Sequence, residues 1–328
     1  MTSRLQTAPR IGMGCWAIGG PFWFGEIAAG YSGADDVESV RAVHAAWDHG
    51  IRVFDTSAVY GAGHSERLLG KALAGRDDAV IVSKFGHSID ATTRQLKGPR
   101  FEPEYVRWSV EHSLKRLGRD YIDVMLLHLN DLPVADAEPA FETLEAFVAV
   151  GAIGSYGWST DFPASAGAMA RRLGFSTVQH SMNLFFDAPS MCRVAREHGL
   201  TQLIRSPLGM GVLTGKFDDG RSIPGGDVRA GPPDWQGYFD GGRPREDLAR
   251  QMAAVRELLT VGGRTLTQGA LCWLLAKGPM ILPIPGAKTT AQAIENAAAV
   301  VFGPLPESVM EEIETVLQRP PEGLPRAR

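Results

Sequence analysis

The chain of 328 residues has a formal net charge of −4 and is 44% hydrophobic and 21% charged. That is enough apolar sequence for a large core, and it leaves no basic footprint for nucleic acid. Its 3 cysteines, Cys15, Cys192 and Cys272, form no C-x-x-C pair, which argues against a disulfide framework or zinc knuckle. No apolar leader or bilayer-length run is present, so a soluble cytoplasmic protein without membrane association is expected.

Along the chain, short β-branched runs alternate with stretches of helical periodicity. Strands are expected at 10–16, 51–56, 79–85, 121–128, 152–159, 176–181, 200–207 and 280–286. Helices are expected between them, at 36–50, 65–75, 102–118, 137–151, 163–174, 189–199, 244–260 and 290–301. Several end at a glycine suited to a left-handed cap, namely Gly50, Gly118, Gly151, Gly174 and Gly199. Eight β/α alternations without a compositional break predict a single (β/α)8 TIM barrel domain over 1–328. An open doubly wound sheet is the competitor, but G-x-G-x-x-G is absent, as is G-x-x-x-x-G-K-[ST]. A Gly-, Pro- and Asp-rich loop at 215–247 follows strand seven, and its length there suggests a lid. The segment 263–278 reads as an extra helix before strand eight.

In such a barrel the C-terminal strand ends share one mouth. Asp55 closes strand two, Lys84 strand three and His128 strand four, with Tyr60 just past strand two. Singly each is an ordinary strand-end cap; together they suit carbonyl reduction. A free phenol titrates near 10 and needs a cationic neighbour to act as an acid. Lys84 supplies that charge, Asp55 holds the ammonium by an ion pair, and His128 orients the substrate oxygen. The hydride requires a cofactor.

The segments "FDTSAVYGAGHSE", "IVSKF", "RLGRDYIDVMLLH", "SPLGMGVLTGKF" and "IPG…EN" together resemble the aldo-keto reductase superfamily over nearly the whole chain. "GMGCWAIGG" and "PLGMGVLTGK" look closest to the bacterial branch related to potassium-channel β-subunits. The resemblance implies a catalytic set of Asp55, Tyr60, Lys84 and His128, and NADP(H) bound in extended form. It assigns Ser159 and Gln179 to the nicotinamide carboxamide. Ser206, Leu208, Gly209 and Lys216 fall to the pyrophosphate, Arg229 to the long loop, and Gly286, Lys288, Gln292, Glu295 and Asn296 to the adenosine end. Arg205 stands where many members stack an aromatic residue on the nicotinamide, and a guanidinium also stacks on a planar ring. Gln292 replaces a frequent arginine, which leaves Lys288 as the main cation for a 2′-phosphate and NAD(H) as the other possibility. Leu129 replaces a common pocket tryptophan.

For the substrate, Trp16, Phe22, Trp23 and Phe24 of the first loop are the expected pocket residues, with Trp158 and Trp235 behind them. They favour an apolar or aromatic aldehyde, whereas Arg205 would favour an anionic one. The main reading is an NADPH-dependent oxidoreductase reducing an aldehyde or ketone, with a small carbonyl compound as partner and no metal. An NAD-dependent sugar or alcohol dehydrogenase and a slowly turning nucleotide-sensing subunit are the alternatives. A metal-dependent hydrolase would need a His-x-His on strand one, which ends instead in "GMGCW".

Overall fold

In the computed structural model, which describes residues 4–232 and 236–322, all eight expected runs form strands of one parallel sheet. They are β1 (Met13–Gly14), β2 (Val53–Asp55), β3 (Val80–Phe85), β4 (Ile122–Leu127), β5 (Ile153–Ser159), β6 (Phe175–Ser181), β7 (Thr201–Arg205) and β8 (Ile281–Pro283), paired in that order. The sheet curls until its ends meet. Gly12 N–H donates to Pro283 O at 2.9 Å and Gly14 N–H to Pro285 O at 3.0 Å, and Gly14 bridges Gly286. A Cβ on Gly14 would lie 2.6 Å from Ile284 O, so the approach requires glycine. The arrangement is consistent with a (β/α)8 barrel.

The intervening helices are α1 (Asp36–Asp48), α2 (His64–Ala72), α3 (Pro103–Leu117), α4 (Val134–Ala149), α5 (Pro163–Met169), α6 (Pro189–His198), α7 (Glu246–Leu259), α8 (Leu266–Ala276), α9 (Thr290–Phe302) and α10 (Glu307–Val316). Helix α8 occupies the expected extra segment and starts at a capping box between Thr265 and Gln268, which satisfies two orphan donors. Helix α10 has no counterpart among the expected elements, because Ile313 is its one fully buried residue and its apolar stripe is too thin to read. Three two-stranded hairpins were also illegible: Trp23–Phe24 with Ile27–Ala28, His87–Ile89 with Leu96–Pro99, and Phe239–Asp240 with Arg243–Pro244.

Side chains alternate across a strand, and here that alternation separates two cores. Val53, Val80, Val82, Val124, Leu126, Leu203 and Leu282 form an interior cluster, with Leu5 packed against it from the N-terminal segment. Phe54, Ile81, Met125 and Leu127 point the other way and join the larger core under the helices. The next interior step upward is where the polar residues fall. Asp55 follows Val53, Lys84 follows Val82, His128 follows Leu126, and Arg205 follows Leu203.

The long segment after β7 is tied down. Val228, Tyr238 and Phe239 are almost wholly buried, and Phe217 meets Phe239 edge to face at 5.1 Å. Val228 N–H donates to Gly30 O at 2.9 Å, so this segment crosses the mouth to the loop that leaves β1. Among the described residues, no helix is long and apolar enough to cross a membrane.

Candidate active site

One cavity of about 960 Å³ opens at this mouth, and Asp55, Tyr60 and His128 line it together with Lys216, Arg229 and Lys288. At its floor the Lys84 ammonium, fully buried, donates to Asp55 Oδ1 at 2.6 Å, Thr56 O at 2.8 Å and the Tyr60 hydroxyl at 3.3 Å. All three ammonium donors are thereby used. Gln179 Nε2 donates to the other Asp55 oxygen at 2.7 Å, and Ser159 Oγ lies 3.4 Å from Gln179 Oε1. The ring of His128 stands perpendicular to that of Tyr60, with centroids 6.1 Å apart. Ser57 Oγ is 3.4 Å from His128 Nδ1, which leaves Nε2 for a ligand.

Tyr60 reaches this place through a tight turn. Gly61, Ala62 and Gly63 all have left-handed backbone, with φ of 57°, 57° and 78°. A Cβ at Gly61 would sit 1.8 Å from Gly19 O, so the turn must pack glycine against the first loop. The Ser-Glu pair that follows is scaffold. Ser65 Oγ donates to Cys15 O at 2.8 Å. Glu66, fully buried, accepts from Ser83 Oγ at 2.6 Å and from Arg116 Nε at 2.5 Å.

Burial pushes the Tyr60 phenol above its ordinary value, with Lys84 the main opposing influence. Burial works against the Lys84 ammonium, but Asp55 and the Tyr60 oxygen together hold its pKa above the usual lysine value. Asp55 is raised, by burial first, with Lys84 pulling it down. Burial, then Lys84, His87 and Arg205, hold His128 well below the ordinary imidazole range, so its ring is neutral at neutral pH. The set therefore holds a protonated phenol, a charged ammonium and a neutral imidazole around one space.

At the far end of the cavity, Arg229 makes a two-pronged pair with Asp227 at 2.8 and 2.9 Å. Asp227 also accepts from Ser32 N–H at 3.0 Å and Ser32 Oγ at 3.1 Å, and Lys288 Nζ donates to Ser32 O at 2.5 Å. Arg229 and Lys288 flank the Tyr31 ring, 5.0 and 5.3 Å from its centroid. Burial, then Arg229 and Lys288, lower the pKa of Lys216 to about 8. Burial, then Arg229, also lower Lys288, while Asp227 keeps Arg229 above its ordinary value, so the three clustered cations make an anion site.

All the expected cofactor residues line this cavity except Gly209, which packs beside Phe185 and Tyr238. Gln292 Oε1 accepts from Lys288 N–H at 2.9 Å. The Glu295 carboxylate accepts from Thr265 Oγ1 at 2.7 Å, and Asn296 Nδ2 is 3.4 Å from Gly286 O. Arg205 pairs with Asp161, which tempers the guanidinium as an anion selector. Trp16, Phe22 and Phe24 line the cavity and Trp23 does not; the Trp23 backbone N–H donates to Arg94 O at 3.0 Å. Trp158 is fully buried, with its indole N–H on Leu129 O at 2.8 Å, and Trp235 lies outside the described residues. Sequence reasoning missed Ser57, Tyr31, Asp227, Asp161 and His87. Asp227 alone had a local signal, a side chain placed to accept from the N–H two residues on, as it does from Arg229 at 3.1 Å.

The family model described as "Aldo/keto reductase family" matches residues 10–318. An NADP(+) aldo-keto reductase, yakc, of Schizosaccharomyces pombe is 30% identical over 310 residues, covering 90% of this chain and 84% of that protein. A putative voltage-gated potassium channel subunit beta of the same organism is 29% identical over 324 residues, covering 90% and 89%. Among solved structures, the glycerol dehydrogenase AKR11B4 of Gluconobacter oxydans superposes with a TM-score of 0.77 at 28% identity, covering 94% of this chain and 91% of that one.

Proposed function

Because the chain belongs to the aldo/keto reductase family, we propose that this oxidoreductase reduces an aldehyde or ketone to an alcohol with NADP(H), within one (β/α)8 domain spanning 1–328. The observation that carries the reading is the buried Lys84 bound at once to Asp55 and Tyr60, which line the same cavity as the Lys216, Arg229 and Lys288 cluster.

The donor set fits a phosphorylated dinucleotide. Lys216, Arg229 and Lys288 would hold its phosphates, Ser159 and Gln179 its carboxamide, and the residues from Gly286 to Asn296 its adenosine end. When bound, the reduced nicotinamide supplies a hydride. The rest is the work of this chain. Tyr60 Oη gives its proton to the carbonyl oxygen as negative charge develops there. Lys84 stabilises the phenolate left behind, and Asp55 keeps Lys84 charged. Neutral His128 donates from Nε2 to the same oxygen and fixes its direction. The long segment after β7, clasped to the first loop through Asp227 and Val228, acts as the lid that excludes water. Aromatic walls at Trp16, Phe22 and Phe24 favour a substrate with an apolar body. The same groups run in reverse for alcohol oxidation, which is the activity named for the Gluconobacter oxydans neighbour.

The test is a Tyr60→Phe variant assayed with NADPH against a panel of aldehydes and ketones. Turnover should fall by about 10²–10⁴-fold, the usual scale of general acid catalysis, with NADPH affinity within about twofold of the parent, as expected of a group that acts in the transition state. Undiminished turnover would remove Tyr60 as the acid. Equal use of NADH and NADPH would remove the phosphate assignment at Lys288.

A further inference from the structure

Arg205 ends β7 and is turned into the mouth by the alternation of its strand. Leu203 belongs to the interior cluster and Ile204 to the core under the helices, so the next side chain faces inward again, and Arg205 lines the cavity. It stands beside the residues assigned to the carboxamide. Arg205 is opposite Ser181 in the β6–β7 register, two residues past Gln179, and Gln179 is opposite Ser159 across β5. A carboxylate lies behind it. Asp161 pairs with the guanidinium, accepts from Ser181 N–H at 2.8 Å and donates its own N–H to Asn130 Oδ1 at 2.8 Å, and it does not line the cavity. The ion pair therefore presents its positive end to the cavity. That charge is felt at the reaction centre: burial raises the Tyr60 phenol and Arg205 draws it back in part, while burial lowers the His128 imidazole and Arg205 lowers it further.

The oxidised and reduced forms of a nicotinamide dinucleotide carry the same phosphates and differ in charge at one ring, which is a cation when oxidised and neutral when reduced. A guanidinium keeps its charge at every working pH, so one held beside the carboxamide site repels the first form and is indifferent to the charge of the second. We propose that Arg205 is a specificity-determining residue for the redox state of the cofactor: with Asp161 at its back it weakens binding of NADP+ and leaves NADPH unpenalised, so that the chain loads the reduced form and sheds the oxidised one. Lys216, Arg229 and Lys288 make no such distinction, because the phosphates they would hold are common to both. The inference rests on the dinucleotide reading of the cavity. The same charge opposes the positive charge that develops when hydride departs, and Asp161 limits that opposition.

The test is the dissociation constant of NADPH and of NADP+, each titrated calorimetrically into the parent and into Arg205→Met, Arg205→Lys and Asp161→Asn. Comparing the ratios cancels every contact that the two forms share. In Arg205→Met the preference for NADPH over NADP+ should shrink by about tenfold, the Coulomb scale of one partly compensated charge at an effective dielectric of about 20, chiefly through tighter NADP+. Arg205→Lys should keep the preference. Asp161→Asn, which keeps an acceptor for Ser181 N–H and removes the compensating charge, should widen it. Thermal melts show whether each variant folds, and Asp161→Asn carries the test alone if methionine unfolds the chain. An unchanged ratio in Arg205→Met, or one that stays level or narrows in Asp161→Asn, would overturn the assignment while both forms still bind. A parent that binds neither form would overturn the dinucleotide reading with it.

Discussion

Lys216 shows how far a single side chain in this cavity is shaped by its neighbours. Its pKa falls to about 8 by burial, then by Arg229 and Lys288, with Asp227 opposing and Arg221 adding a little. The sign of the consequence follows from linkage. A lysine depressed in the free protein is charged below that value and neutral above it, so above about pH 8 an anionic cofactor must bind together with a proton. NADP(H) affinity should be level below about pH 8 and weaken by up to about tenfold per unit above it. Lys216→Arg, always charged, should remove the bend; calorimetric titration across pH 6.5–9.5 measures both, and an unbent parent profile would contradict the assignment. Residues at this scale were unequally legible. Asp55, Lys84 and His128 could be read because each ends an apolar strand, where the period-two alternation says which side chains face the mouth. Ser57 and His87 could not, since Ser57 lies in the loop past β2 and His87 opens a hairpin too short to carry a period.

Between elements, the clasp of the β7 segment on the first loop joins the Val228–Gly30 backbone bond to one carboxylate. Asp227 holds Arg229, Ser32 N–H and Ser32 Oγ together, so Asp227→Ala removes every side-chain bond that the carboxylate makes between the two loops. The expected outcome is faster NADP(H) release in stopped-flow fluorescence, by about tenfold or more if the two-pronged pair follows the usual scale of charge-assisted hydrogen bonds, together with a lowered thermal melt, because Arg229 loses its buried partner. An unchanged release rate would show that the segment does not gate the site. The length and composition of this loop suggested a lid, but nothing in them recorded how it is anchored. Tyr238 and Phe239 look like ordinary loop aromatics until the tertiary contacts with Phe186 and Phe217 bury them. The hairpins at 23–28 and 87–99 escaped for the related reason that two- to four-residue strands carry no period.

For the molecule as a whole, the motif around Tyr60 divides labour between chemistry and scaffold. Glu66 is fully buried and joins α2 to β3 through Ser83 and to α3 through Arg116. Arg116→Ala would leave that carboxylate without its cation, at a cost on the order of 3–5 kcal/mol, measurable by chemical denaturation; a much smaller loss would mean that the pair does not hold α2 to α3. The barrel order was legible because eight apolar runs and eight helical stretches alternate without interruption. Its closure was not, since it depends on the backbone approach of Gly14 to β8, which no periodicity records. Trp16 stacks on Tyr60 at 5.9 Å and meets Tyr31 edge to face at 5.1 Å, so its indole neighbours both Tyr60 and the ring that Arg229 and Lys288 approach. Trp158 and Trp273 are sealed in the interior and are blind to ligand. Excited at the indole band, the protein should therefore dim as reduced dinucleotide is added, with most of that response vanishing in Trp16→Phe, which gives a direct emission gauge of site occupancy independent of turnover.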